Sequence, residues 1–350
     1  MSLHQDIVEK EPKINRVMHN EMDVDIISTM PDGIITHIMD FLITQEAVQT
    51  CILSKRWKDL WKQLSTLNIS HEHFKRADVF KFVNNLLKKR EKSSVLRNIE
   101  VDHHGYVPYK LLRKMINYAV KKKVEKFKVG TYLRHRESNM LLFRSIFSLH
   151  SLKFLDLSFY SYGWDVKLPE TIDLPELANC CLRHVTFTLA DGNDYARPFL
   201  ECKKLSTLVI DDCKVAGDDK ILYISGDKLS SLSITYNMWN HKHLKVKISA
   251  PYLKSFTFKG NFTSDNVHQV IEQNMDFIED ACIIAFWNLS HPNVVETIKN
   301  ILKRIRNVHS LTLSWNILQV LEISGALMSY QINHISICYL LQRFTNEFVH

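Results

Sequence analysis

Nine times along this chain, apolar residues stand at positions x, x+3 and x+5, and the starts of successive groups lie 23 to 30 residues apart. The groups are Leu96-Ile99-Val101, Val124-Phe127-Val129, Leu152-Leu155-Leu157, Leu182-Val185-Phe187 and Leu205-Leu208-Ile210. They continue as Leu229-Leu232-Ile234, Leu253-Phe256-Phe258, Ala281-Ile284-Phe286 and Val308-Leu311-Leu313. Within each group x+3 and x+5 alternate as on a short strand, so one unit alone has an apolar edge that it cannot cover. Stacking the next unit beside it covers that edge, and a parallel sheet lining a curved solenoid follows.

Between the strands the chain must return. Val107 to Val120 places Leu112, Met115, Ile116 and Ala119 on one helical face, and Asn293 to Leu302 does the same with Val294, Ile298, Ile301 and Leu302. Leu168 to Pro175 and Ser249 to Leu253 carry proline and read as extended or turn-like returns. The x, x+3, x+5 core at this spacing resembles the leucine-rich repeat in its degenerate plant form. In that repeat x+8 is an Asn or Cys that serves backbone groups. Here it is Cys213, Asn237, Asn261 and Asn316 in four units, but His104, Tyr132, Tyr160, Ala190 and Leu289 in five, which predicts irregular turns. After Ile323 the pattern is expected to stop, with Ile332 to Leu341 a capping helix or strand.

Ahead of the repeats the period changes to helical spacing. Ile34, Ile38, Phe41 and Leu42 form one stripe, Ala47, Val48 and Cys51 a second, and Trp57, Leu60, Trp61 and Leu64 a third. Pro31 suits a first helical turn, and Thr44 and Ser54 are expected to cap the next two helices. So short a unit keeps too much surface in water to hold a core alone, so it needs a partner. Met30-Pro31, the paired isoleucines, Leu53-Ser-Lys-Arg-Trp57 and Trp61 together resemble the plant F-box, with Met30 a near volume-conserving replacement for the usual leucine.

That resemblance implies three helices that bind the Skp adaptor of a Skp-cullin-F-box ubiquitin ligase, and through it cullin and RING subunits, while the repeats hold a target protein. It assigns Pro31, Ile34, Ile38, Leu42, Leu53, Ser54 and Trp57 to adaptor contact, with Phe41, Leu60 and Trp61 on the same stripes as candidates for internal packing. The expected division is a flexible tail over 1–24, the F-box over 25–70, a linker helix within 71–95, an α/β leucine-rich-repeat solenoid over 96–325, and a tail or cap over 326–350. A repeat scaffold that serves no ligase is the other reading.

Composition excludes several further classes. The net charge of +7 arises from 45 basic and 38 acidic residues spread along the chain, and its densest runs, such as Lys121-Lys-Lys123, abut helical patterns where cations suit a last turn. No nucleic-acid motif or interleaved aromatic series accompanies them, so neither nucleic acid nor membrane is an expected partner. The polar N-terminus and seven scattered cysteines with no C-x-x-C pair indicate a reducing compartment, nucleus or cytoplasm. Histidine pairs at His71/His73, His103/His104 and His241/His243 lack further ligands at diagnostic spacing. No phosphate-binding glycine loop or nucleophile motif occurs. No cofactor, metal or catalytic residue is expected; the protein is a non-catalytic subunit on this reading.

Overall fold

A computed structural model describes residues 26–70, 76–132, 143–160, 166–236, 244–260, 275–286, 292–305, 308–323 and 334–338. The chain opens with α1 (Ile26–Thr29), α2 (Asp32–Met39) and α3 (Thr44–Gln49), followed by 3-10 turns at Thr50–Ile52 and Leu60–Gln63. Strand β1 (Thr66–Ser70) and helix α4 (Arg76–Lys89) lead to β2 (Asn98–Tyr106), α5 (Tyr109–Lys122), β3 (Lys126–Tyr132) and β4 (Phe154–Phe159).

The coils then become richer in strand: β5 (Val166–Lys167), β6 (Asn179–Arg183), β7 (Val185–Phe187), β8 (Tyr195–Ala196), β9 (Thr207–Asp211), β10 (Lys214–Val215), β11 (Ile221–Ser225), β12 (Ser231–Thr235) and β13 (Lys245–Ser249). After them come β14 (Ser255–Gly260), β15 (Asp280–Ala285), α6 (Pro292–Arg304), β16 (Ser310–Ser314), α7 (Trp315–Ile323) and β17 (His334–Cys338).

Eleven strands, in the order β1-β2-β3-β4-β6-β9-β12-β14-β15-β16-β17, form one sheet in which every pairing is parallel. The fold is therefore an α/β solenoid of stacked coils behind an N-terminal helical region. In register, Leu67, Ile99, Phe127, Leu155, Leu208 and Leu232 make one fully buried row. Burying each such side chain contributes about 1.5–3 kcal/mol relative to leaving it in water. Coils in the middle gain two further sides, the small parallel sheets β10-β7-β5 and β13-β11-β8. Helices α5 and α6 fall where the apolar spacing predicts them.

Register corrects two of the nine units. Leu155 pairs with Cys180 and Leu157 with Leu182, so the fourth unit is Leu177-Cys180-Leu182, and Val185-Phe187 belongs to a different side of the coil as β7. Both sets are buried and both obey the same spacing, which is why periodicity alone chose the later one. Likewise Phe256 pairs with Ala281 and Phe258 with Ile283, so the eighth unit starts at Ile278 and not at Ala281. Strand β1 has no counterpart in the expected units: Leu64, Leu67 and Ile69 satisfy the repeat spacing inside the helical region. Of the two forms expected within Ile332 to Leu341, the described residues take the strand, and β17 pairs with β16.

Cys213 fulfils the x+8 role: its buried thiol donates to the Leu182 carbonyl of the preceding coil, at 3.3 Å. Asn237, Asn261 and Leu289 lie outside the described residues, and Asn316 sits in the first turn of α7. Gly260 is needed for close approach, because a Cβ there would stand 2.5 Å from the Tyr236 ring.

Candidate functional site

In the helical region Pro31 occupies the N-cap of α2, and its carbonyl accepts from the Ile34 and Ile35 amides at 3.0 and 3.2 Å. Inward-facing Ile35, Met39, Ala47, Leu60, Trp61 and Leu64 join the core of the repeats. The opposite side is left apolar and open. Ile34 is 49% exposed, Ile38 46%, Phe41 77%, Ile52 85% and Leu53 64%, and Ile26 and Ile27 extend the band. Phe41 leaves the core altogether; its nearest ring is that of His37, 5.1 Å away and edge-on.

Of the residues expected to meet a partner, Pro31, Ile34, Ile38, Leu53 and Ser54 are exposed, while Leu42 and Trp57 are half-buried against the core. The expected capping is corrected. Ile43, not Thr44, is the N-cap of α3, and the chain after Ser54 forms turns before the 3-10 segment at Leu60, so Ser54 caps no α-helix.

Thr44 has a different task. Its Oγ1 accepts the Asn68 amide at 2.8 Å, the Asp40 carboxylate accepts the amides of Ser65 and Thr66 at 2.8 and 2.9 Å, and Gln45 Nε2 donates to the Ser70 carbonyl at 2.8 Å. Asp40 also accepts the Ser65 hydroxyl at 2.6 Å. These side chains satisfy the outer edge of β1, where another coil would otherwise have to pair. Buried Arg90, just past α4, donates to the carbonyls of Leu64 and Val95 and ties the entrance of β1 to the exit of α4. Desolvation holds its guanidinium below the usual arginine pKa.

The outward face of the long sheet divides into two chemistries. Its first half is charged and internally paired: Glu100 meets Lys126 at 2.7 Å, and Arg183 Nη1 donates to Asp156 at 2.9 Å and to the Ser158 hydroxyl at 2.8 Å. Arg183 also lies 3.8 Å from Asp211, whose carboxyl is pushed up by burial against the opposing pull of His184 and Arg183. Its second half is hydroxyl-rich, with Thr207, Ser231, Ser233, Ser255 and Thr257 on adjacent strands in register. Small hydroxyls leave room for a partner to approach the strands.

An exposed apolar band on a helical unit that caps a parallel solenoid matches a known module. Residues 27–68 match the F-box domain. Beyond this F-box the similarity runs through the repeats. A putative F-box/FBD/LRR-repeat protein of Arabidopsis thaliana is 27% identical over 308 residues, covering 87% of this chain and 63% of the relative. A putative F-box/LRR-repeat protein of the same plant is 24% identical over 311 residues, 86% of this chain and 62% of the relative. A third, an F-box/LRR-repeat protein, is 26% identical over 315 residues, with 86% and 80% covered. The chain thus spans just over three-fifths of the length of the first two relatives.

The F-box band was only partly visible in the sequence. Phe41 shares a helical stripe with Ile34, Ile38 and the half-buried Leu42, and Ile52 belongs to no stripe, so spacing cannot reveal that both Phe41 and Ile52 face outward. The cysteines of the repeats are built for packing. Burial pushes the thiols of Cys181, Cys202 and Cys213 up to about 12 and raises that of Cys180 well above the usual thiol range, which keeps them protonated and poorly nucleophilic at neutral pH. Among the described residues no group of His, Cys, Asp or Glu is arranged to hold a metal ion, and no helix is long and apolar enough to cross a membrane. The side chains of the three histidine pairs lie outside the described residues.

Proposed function

We propose that this chain is a non-catalytic, substrate-recognition subunit of a Skp-cullin-F-box ubiquitin ligase, working in the nucleus or cytoplasm. The observation that carries the reading is the band Ile34, Ile38, Phe41, Ile52 and Leu53, between 46% and 85% exposed on the segment that matches the F-box. Each such side chain left in water forgoes about 1.5–3 kcal/mol of burial, a driving force for docking an apolar partner surface. The Skp adaptor takes that role, with Pro31 and Ser54 at the margin of the contact and Leu42 and Trp57 supporting it from behind. Cullin and RING subunits then join through the adaptor, and the outward face of the sheet presents the target. Catalysis is by proximity: target and ubiquitin-charged enzyme are held at high effective concentration.

The test is co-expression of the full chain with a plant Skp adaptor, followed by size-exclusion chromatography and addition of cullin. Co-elution of chain and adaptor as a stoichiometric complex that recruits cullin is the expected result. Elution of a folded chain separately from the adaptor would overturn the proposal.

A further inference from the structure

The apolar band of the F-box is built from two stretches far apart in sequence, α2 and the turn from Ile52 to Trp57, and its shape depends on how the one is held against the other. Within the turn Ile52, Leu53, Ser54 and Lys55 are exposed, so they contribute little packing of their own. Its backbone bonds are local: the Leu53 amide donates to the Thr50 carbonyl at 3.0 Å, and the Trp57 amide to the Ser54 carbonyl at 3.2 Å. Such bonds shape the turn without tying it to α2. Trp57 anchors one end by packing, half-buried, against the core.

Arg56 reaches across to the helix. Its Nε donates to Asp32 Oδ1 at 2.7 Å and its Nη2 donates to the Met30 carbonyl, so one guanidinium grips the chain on both sides of Pro31, at the start of α2. The Arg56 side chain is 33% exposed and that of Asp32 59%. An ion pair so exposed would hold little by itself. The second bond, from the same planar fork to a main-chain carbonyl, adds direction, because the fork cannot turn freely without giving up one of its two acceptors. Leu53 and Ser54 lie two and three residues before Arg56, and Ile34 lies two residues after Asp32. The grip therefore sets how the two halves of the band stand relative to each other.

We propose that Arg56 is a positioning residue for the band: it fixes the Leu53 turn against the start of α2, so that the band meets its partner as a preformed surface. The proposal rests on the adaptor reading for the identity of that partner, while the grip itself belongs to the free chain. Its test uses the full chain and Arg56→Met, which keeps the length of the side chain and removes its donors. In the free chain, hydrogen exchange should show the Leu53 and Trp57 amides several-fold less protected and those of β9 unchanged. Calorimetric titration with the Skp adaptor should show Arg56→Met binding about tenfold more weakly, because the turn must now be ordered on binding. Arg56→Lys should recover only part of that loss, since a point charge cannot serve two acceptors as a fork does. In a Leu53→Ala background the loss from Arg56→Met should shrink to about threefold or less, because a residue acting through Leu53 then has little left to position. Lys58→Met, which removes the same charge from an exposed neighbour, should change neither readout. Unchanged protection at Leu53 and Trp57 overturns the proposal, as do full-strength binding by Arg56→Met, complete recovery by Arg56→Lys, an undiminished loss in the Leu53→Ala background, or equal losses from Arg56→Met and Lys58→Met. Failure of the wild type to bind the adaptor, with protection lost in Arg56→Met as expected, overturns the adaptor reading and supports the grip.

Discussion

Ile38 and Ile210 are the same residue type in two regions that treat it in opposite ways. In the solenoid Ile210 is completely buried between neighbouring coils; in the F-box Ile38 is 46% exposed, and Phe41, Ile52 and Leu53 are more so. The repeats bring their own covering, because each coil supplies the surface that the last one needs. The F-box covers only one side of itself, the side turned to β1, where Asp40, Thr44 and Gln45 substitute for a missing coil. Apolar residues of the first kind serve stability, and those of the second kind are the ones proposed for association.

Substitutions of matched chemistry sharpen that contrast. Leu208→Ala, in the fully buried row, should destabilise the protein by about 2–5 kcal/mol, whereas Ile52→Ala should stay within about 0.5 kcal/mol. Urea titrations followed by circular dichroism measure both, and equal losses would erase the distinction between the regions. The junction comes next in size. Asp40→Ala leaves the Ser65 and Thr66 amides without their acceptor and should cost about 1–3 kcal/mol, with faster hydrogen exchange at the β1 edge. Exchange rates identical to wild type at Ser65 and Thr66 would show that the F-box does not cap the sheet.

The smallest effect lies in the thiols. With a disulfide-exchange reagent at neutral pH, Cys51 and Cys282, each partly exposed, should react before Cys180, Cys181, Cys202 and Cys213. Simultaneous reaction of all six would contradict the packing of the middle coils.

How far the sequence discloses this architecture depends on what each residue's environment demands. Repetition made the solenoid legible, since a spacing that recurs across so many coils has few structural solutions. Register was legible only where one face of the strand is apolar. In β15, with Ala281, Ile283, Ile284 and Ala285 all buried, both faces qualify and the unit was placed three residues late. In the fourth unit the rival set Val185-Phe187 is equally buried, on another side of the same coil. Threonine before a helix usually caps that helix, which is what the sequence suggests for Thr44, whereas in the structure a distant amide, that of Asn68, claims the hydroxyl. Within the F-box, helical spacing found the apolar residues without saying which way each faces. Trp61 and Phe41 lie on such stripes, yet Trp61 is buried in the core and Phe41 is exposed.

The exposed F-box band is proposed to be the surface that the Skp adaptor covers. Calorimetric titration of the adaptor into the wild-type chain and into an Ile38→Ala, Phe41→Ala, Leu53→Ala variant tests it most directly, with melting temperatures recorded for both. Tight binding by the wild type is expected, with at least about a hundredfold weaker binding by the variant and melting temperatures that agree to within a few degrees. Full-strength adaptor binding by the folded variant would contradict it.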